Sequence, residues 1–402
     1  MRKARRYPFW VAVLALAAGT SFLAAGCGGS GGGGGSSQGS GNTTSSGLPQ
    51  SIGKGEGSLN VIEWTEYTDP SFAKQFEQQT GCIIHRKDAG SSNQMVALMR
   101  QGGGGGGGQW DLVSASGDAS LRLIKGGDVQ AVNVNLIPSW KDLLPELKSP
   151  PHNTVNGVHY GVSLQWGQNI LLYNTKKVKP APTSWSPIYD SKWKGQITIP
   201  NNPIQIADAA LYLSKTKPSL GITDPYELTQ DQFNATVDLL KQQRKLVKLY
   251  WNYDTDGRSA FANGDVALGA IWPNDTIALQ QKNFPVEQVA PKEGTTGWAD
   301  TWMLASKAPH PNCAYLWMKY ALTPQVQAKQ ALLFGETPAN PKACPYMDKI
   351  QAGSCAKYHL NAPAGYFKSI RFWKTPIADC GNGQSNCIDY NEWQKAWTEV
   401  TG

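Results

Sequence analysis

From Leu59 onward, short apolar runs alternate with helix-length segments, and this alternation restricts the body of the chain to a layered α/β architecture with a mostly parallel sheet. Leu59–Trp64 reads as a buried strand. Asp69-Pro70 then supplies a cap and a first-turn proline for a helix that carries Phe72 and Phe76 on one face and stops at Thr80-Gly81. Cys82–His85, Trp110–Ser114, Ile170–Tyr173, Ile197–Ile199, Ala267–Trp272 and Trp298–Ala305 read as further strands. Ser91–Gln101, Leu121–Lys125, the segment opened by the capping box Thr229-x-x-Gln232, Asn312–Ala321 and Asn391–Thr398 read as helices. At 402 residues the length fits two such lobes, the second beginning near Gln168. Gly102–Gly108, seven consecutive glycines, lacks the following Gly-Lys-Ser/Thr of a phosphate-cradling loop and reads as a flexible connection.

The N-terminus gives the address. Arg2–Arg6 is basic, Phe9–Ala18 apolar, and Leu23-Ala24-Ala25-Gly26-Cys27 a small-residue stretch ending in Cys, which is the order of an export signal. Residues 28–57 are rich in Gly, Ser, Thr, Gln and Asn and have almost nothing to bury, so they read as a flexible tether. The six remaining cysteines, Cys82, Cys313, Cys344, Cys355, Cys380 and Cys387, are an even set in an exported chain and predict three disulfides. Nearest pairing gives Cys344–Cys355 and Cys380–Cys387 and leaves Cys82–Cys313 as a long-range staple, although six cysteines allow many connectivities. No C-x-x-C, H-E-x-x-H or Cys/His cluster is present, so neither a metal nor a cofactor is expected. The formal charge of +7 also misleads. Four of the 37 basic side chains lie in residues 1–26, which leaves 33 against 30 acidic ones and no footprint for nucleic acid.

Two motifs rise above an otherwise ordinary set of aromatics. Glu63-Trp64-Thr65-Glu66-Tyr67 falls where a strand ends and a helix begins, the edge at which open α/β sheets bind ligands. In Trp298-Ala299-Asp300-Thr301-Trp302, period two places Trp298, Asp300 and Trp302 on one face of a strand. Indole rings flanking a carboxylate make an awkward core and a good cation site, because ring faces and carboxylate attract the same charge.

With these, Trp110-Asp111-Leu112-Val113, Tyr160-Gly161-Val162, Trp166-Gly167, Trp185 with Lys194-Gly195, Ala270-Ile271-Trp272, and Gly335 with Pro338 and Asn340 occur in one order. Over about residues 58–342 the chain thereby resembles the spermidine/putrescine-binding proteins of bacterial ABC importers, and Cys27 resembles the lipidated cysteine of a lipoprotein. The resemblance implies a two-lobed type II periplasmic-binding-protein fold with a hinge and an interlobe cleft. On that reading residues 1–26 are a signal peptide and 27–57 a lipid-anchored linker. Residues 58–166 with 299–340 form lobe 1. Residues 167–298 with 341–402 form lobe 2, including a cysteine-rich appendage. It implies an aromatic wall of Trp64, Tyr67, Trp272 and Trp298, an amine-binding carboxylate at Asp300 and a serine at Ser116. The family's second carboxylate cluster aligns with the neutral Asn201, Asn202 and Gln205, whereas Asp118 and Glu336 stand where the family has tyrosines. Glu66, Asp118 and Glu336 are therefore candidate helpers of Asp300.

The expected function is capture of a cationic, polyamine-like solute by lobe closure. The solute would pass to a membrane permease driven by a separate ATPase, from a monomer anchored outside the cytoplasmic membrane. A solute-binding protein for a betaine, amino acid or sugar, or a sensing or interacting surface lipoprotein, are the alternatives. An enzyme is not expected, since G-x-S-x-G occurs only within the Gly/Ser-rich tether, at Gly28–Gly32 and Gly35–Gly39, with no strand–turn–helix pattern around it, and no metal motif occurs.

Overall fold

The computed structural model describes residues 47–362, 365–380 and 386–402. The signal segment, Cys27 and most of the tether lie outside the described residues.

The first turn of structure follows the local rules. Asp69 accepts a bond from Ser71 N–H, Pro70 opens the helix Pro70–Thr80, and Gly81 closes it at φ +73°. Phe72 and Phe76 are buried on its inner face, each a gain of about 1.5–3 kcal/mol over leaving the ring in water. The preceding strand, Ser58–Glu63, has Val61 in one core cluster and Ile62 in another. Leu112 and Val113 divide in the same way, as do Leu304 and Met303. Helices thus cover both faces of the sheet, which is why these strands read as unbroken apolar runs.

Two large sheets result. The first runs Thr337–Pro338, Val162–Gln168, Thr295–Leu304, Leu112–Ala115, Ser58–Glu63, Ile83–Asp88, with Ile370–Phe372 added beside Thr295–Leu304. The second runs Val286–Val289, Ile170–Asn174, Leu268–Ile271, Ile197–Pro200, Val247–Trp251. Each has a parallel part and an antiparallel part: Ser58–Glu63 is parallel to both neighbours, whereas Thr295–Leu304 is antiparallel to Leu112–Ala115 and Val162–Gln168. The expectation of a mostly parallel sheet missed the direction of Ile170–Asn174 and Thr295–Leu304, which were read as strands, and missed Val162–Gln168, which runs almost directly into Ile170–Asn174.

The chain passes between the sheets at Asn169 and again just before Thr295. The two passages are bonded together. Asn169 donates its backbone N–H to Thr296 O (2.8 Å) and its side-chain amide to Asp208 (2.9 Å) and Thr296 Oγ1 (3.2 Å). Thr296 Oγ1 in turn donates to Asp208 at 2.6 Å. A third passage belongs to the C-terminal segment. After Ile370–Phe372 joins the first sheet, Lys374 forms ion pairs with Asp224 and Glu227, and the final helix Tyr390–Thr401 packs on Gln230–Arg244.

All three expected disulfides are present, Cys82–Cys313, Cys344–Cys355 and Cys380–Cys387. The glycine run departs from the expected slack connection. Every residue of Gly102–Gly108 has positive φ, between 59° and 96°. Such a course suits glycine alone. Bonds from Gly105 N–H to Asp128, from Lys307 N–H to Gly105 O, and from Lys307 Nζ to Gly103 O hold it in place.

Candidate functional site

The carboxyl ends of the parallel strands of both sheets open on one cavity of about 390 Å³. Trp64 follows Ser58–Glu63 and Ser116 follows Leu112–Ala115. From the second sheet come Pro200 and Asn201, Trp251 and Asn252, and Trp272. This is the place where open α/β sheets bind ligands, since the strand ends present loops and helix N-termini instead of paired backbone.

Its deep wall is built on the long strand Thr295–Leu304. Trp298 and Asp300 line the cavity, as the period-two reading anticipated. Trp302 does not. It is fully buried against Tyr67 and Trp317, and the strand register shifts between Asp300 and Thr301. Glu336, from the turn after the helix Pro324–Phe334, completes this wall.

The two carboxyl groups meet on a single phenol. Tyr67 Oη bonds to Asp300 Oδ2 and, at 3.1 Å, to Glu336 Oε2. Ser116 donates to the other oxygen of Asp300, and Trp298 Nε1 donates to the other oxygen of Glu336 at 2.6 Å. A phenol carries one proton, so it cannot donate to both carboxylates at once. The pattern is satisfied when one carboxyl is protonated and donates to Tyr67. The electrostatics agree. Burial pushes the Asp300 carboxyl up to about 7, against its bonds from Ser116 and Tyr67. Burial together with the neighbouring Asp300 holds Glu336 well above the usual carboxylate range. Among the described residues neither acid has a Lys or Arg ion-pair partner. Two buried carboxyl groups without a base, beside a cavity, can accept a positively charged group.

Aromatic rings make the remaining surface. Trp251, Trp272, Trp298 and Trp373 form a continuous series with ring centroids 5.0, 5.2 and 5.4 Å apart, and all four line the cavity together with Trp64. Trp373 comes from the third chain passage. Its indole N–H donates to Thr296 Oγ1 (3.0 Å) and its backbone N–H to Gly297 O (2.6 Å).

Of the residues singled out in the sequence, Trp64, Ser116, Trp272, Trp298, Asp300 and Glu336 line the cavity. Tyr67 is fully buried beneath it, holding the carboxyl pair. Glu66, at φ +77°, is turned to an adjoining open chamber at the mouth. Asp118 is buried in the first turn of the helix Gly117–Lys125 and accepts from Ser92 Oγ at 2.8 Å, away from the cavity surface. Asn201 and Asn202 line the cavity, and Gln205 does not. Trp251, Asn252, Tyr253 and Trp373 were not anticipated. For Trp251, the position at the end of a strand was the available signal. Trp373 had none.

Residues 71–354 match the model of the bacterial extracellular solute-binding protein family. The chain belongs to this family. The solute-binding protein is 25% identical over 290 residues to the spermidine/putrescine-binding periplasmic protein of Escherichia coli K12, covering 72% of this chain and 79% of that one. It is 23% identical over 329 residues to a putrescine/agmatine-binding protein of Pseudomonas aeruginosa, covering 76% and 85%. In fold it is similar to the spermidine/putrescine ABC transporter substrate-binding protein PotD of Streptococcus pneumoniae (TM-score 0.66, 18% identity, 85% of this chain and 97% of that one). It is also similar to the binding protein MotA of A. tumefaciens B6 solved with glucopine (TM-score 0.64, 15% identity, 86% and 100%). The two-lobed periplasmic-binding-protein architecture is thereby established. Solute-binding proteins of ABC importers bind small solutes and work with a permease and an ATPase. No described helix is long and apolar enough to cross a membrane.

Proposed function

We propose that this solute-binding protein captures a cationic amine between its lobes for uptake by an ABC importer and catalyses no reaction. The ammonium group sits against Asp300 and Glu336, and the indoles of Trp64, Trp272 and Trp298 cover the methylene chain and the cation. Groups from both sheets contact such a ligand together only when the lobes are closed, so binding favours closure. A lipidated Cys27 would keep the monomer at the outer face of the cytoplasmic membrane or in the periplasm, within reach of its permease. Relatives whose names state polyamine binding support the ligand class.

The observation that carries the reading is the pair of buried carboxyl groups sharing Tyr67 with no Lys or Arg ion-pair partner among the described residues. A purely hydrophobic cleft gains nothing from such a pair, whose ionised form is costly until a ligand supplies the opposite charge. A thermal-shift panel of polyamines, agmatine, betaines, amino acids and sugars tests it. A hundredfold excess over Kd stabilises the folded protein by about 2.7 kcal/mol, enough to read against an unliganded control. Amines should shift the melting temperature. A shift with neutral sugars and none with amines refutes the assignment.

A further inference from the structure

The cavity is chemically lopsided. Of the described residues that line it, only Asp300 and Glu336 are acidic, and both belong to the same wall, within reach of one phenol oxygen. The facing wall, at the ends of Ile197–Pro200 and Val247–Trp251, carries the amides Asn201, Asn202 and Asn252.

The wiring of those amides gives the wall a direction. Asn201 Oδ1 accepts from Trp397 Nε1 at 2.8 Å, Asn202 Oδ1 accepts from Ile204 N–H at 3.0 Å, and Asn252 Oδ1 accepts from Asn201 Nδ2 at 2.9 Å. Each of the three carbonyl oxygens is thus already engaged by a protein donor. Each oxygen keeps one further lone pair, and Asn202 and Asn252 also present N–H groups, but the wall carries no charge. An ammonium group there would give up its hydration to neutral amides with no counter-charge, which is costly, whereas a neutral carbonyl oxygen can take the N–H donors without burying charge. The other acids near the site are Asp118, which lies behind Ser92 on the same side as Asp300 and off the cavity surface, and those of the mouth chamber. There Asp254 is already paired with Arg258 at 3.2 Å, and Glu66 is exposed to water. An ammonium at the mouth keeps its hydration and gains little from a solvated carboxylate.

We infer that the ligand is charged at one end only: a primary amine seated at Asp300 and Glu336, joined by an alkyl chain to a neutral hydrogen-bond acceptor at the asparagine wall, as in a monoacylated diamine. The inference rests on the cationic-amine reading above and narrows it.

Calorimetric titration of the full chain with putrescine, N-acetylputrescine and N,N′-diacetylputrescine separates the two. The expected order is N-acetylputrescine at least tenfold tighter than putrescine, with the diacetyl compound not binding. Putrescine binding as tightly as its monoacetyl form, or more tightly, overturns the one-ended ligand and leaves the cationic reading standing. Diacetylputrescine binding as tightly as the monoacetyl compound overturns the cationic reading, and so does binding by none of the three. The variant Asn202→Asp keeps the oxygen that accepts from Ile204 N–H and adds charge to the neutral wall. It should reverse the order, favouring putrescine by tenfold or more, and an unchanged order in the folded variant overturns the inference.

Discussion

Replacing Asp300 by Asn should move stability and affinity in opposite directions. Holding the Asp300 carboxyl at about 7 instead of 3.8 means that ionising it costs about 4 kcal/mol more in the folded protein than in the unfolded chain. This folded-state pKa is raised, so the associated stability is present below pH 4 and is lost as pH rises through about 7. At pH 8 the wild type therefore carries nearly the whole penalty, and the amide carries none. Asn can still accept from Ser116 but turns an N–H toward Tyr67, a loss of about 1 kcal/mol of hydrogen bonding. The empty variant should consequently be more stable at pH 8 by about 2–3 kcal/mol, a rise in Tm of about 3 °C for a chain of this size. At pH 4 that advantage should vanish. Its affinity for the tightest amine should fall by about 2–5 kcal/mol, roughly thirtyfold to several-thousandfold, because the buried cation loses its counter-charge. Scanning calorimetry at pH 4 and pH 8, with titration at pH 8, reads both quantities. A variant less stable than wild type at pH 8, with amine affinity intact, would show that Asp300 is a structural acid and the reasoning is wrong.

Amine affinity should climb from pH 5 to pH 8, because an arriving ammonium favours the ionised forms of Asp300 and Glu336 and expels protons. The slope is at most about tenfold per pH unit for each proton released, and titration in buffers of different ionisation enthalpy counts the protons directly. Removing the Cys82–Cys313 bond, which spans 231 residues, by a double Cys→Ser change should lower stability by roughly 5 kcal/mol on the chain-entropy account. Loss of Cys344–Cys355, spanning 11, should cost about half that, and equal midpoint shifts in denaturant would contradict this account. Gly117→Ala places a Cβ 1.8 Å from the backbone oxygen of Trp373. It should destabilise by about 1–3 kcal/mol and weaken amine binding by displacing that indole, and neutral behaviour in both assays would show that the C-terminal segment is not held there.

The sequence made the scaffold legible where local chemistry decides the outcome. Asp69-Pro70 and Gly81 bracket a helix by capping and φ preference, and the capping box at Thr229 starts another. Trp298 and Asp300 were readable as a site because strand geometry alone puts them on one face. The same rule failed at Trp302, where a register shift and tertiary packing, invisible to periodicity, sent the ring into the core. Glu66 and Tyr67 are neighbours in one motif yet serve different places, since the left-handed conformation of Glu66 turns it outward while Tyr67 goes inward. That conformation is rare for glutamate and has no compositional mark. Trp373 illustrates the remaining limit. It lies beyond residues 71–354, the span matched by the family, and reaches the cavity because a distant strand pairing carries the chain back across the lobes.

Four indoles in series, each about 5 Å from the next, should act as coupled chromophores more than as independent ones. Their shared excitation should give a two-signed circular-dichroism band whose amplitude depends on the angles between neighbouring rings. A guest slipping among them, or a small rotation of one half of the molecule against the other, would alter those angles. The protein therefore carries a built-in optical gauge of occupancy, readable without dye or label.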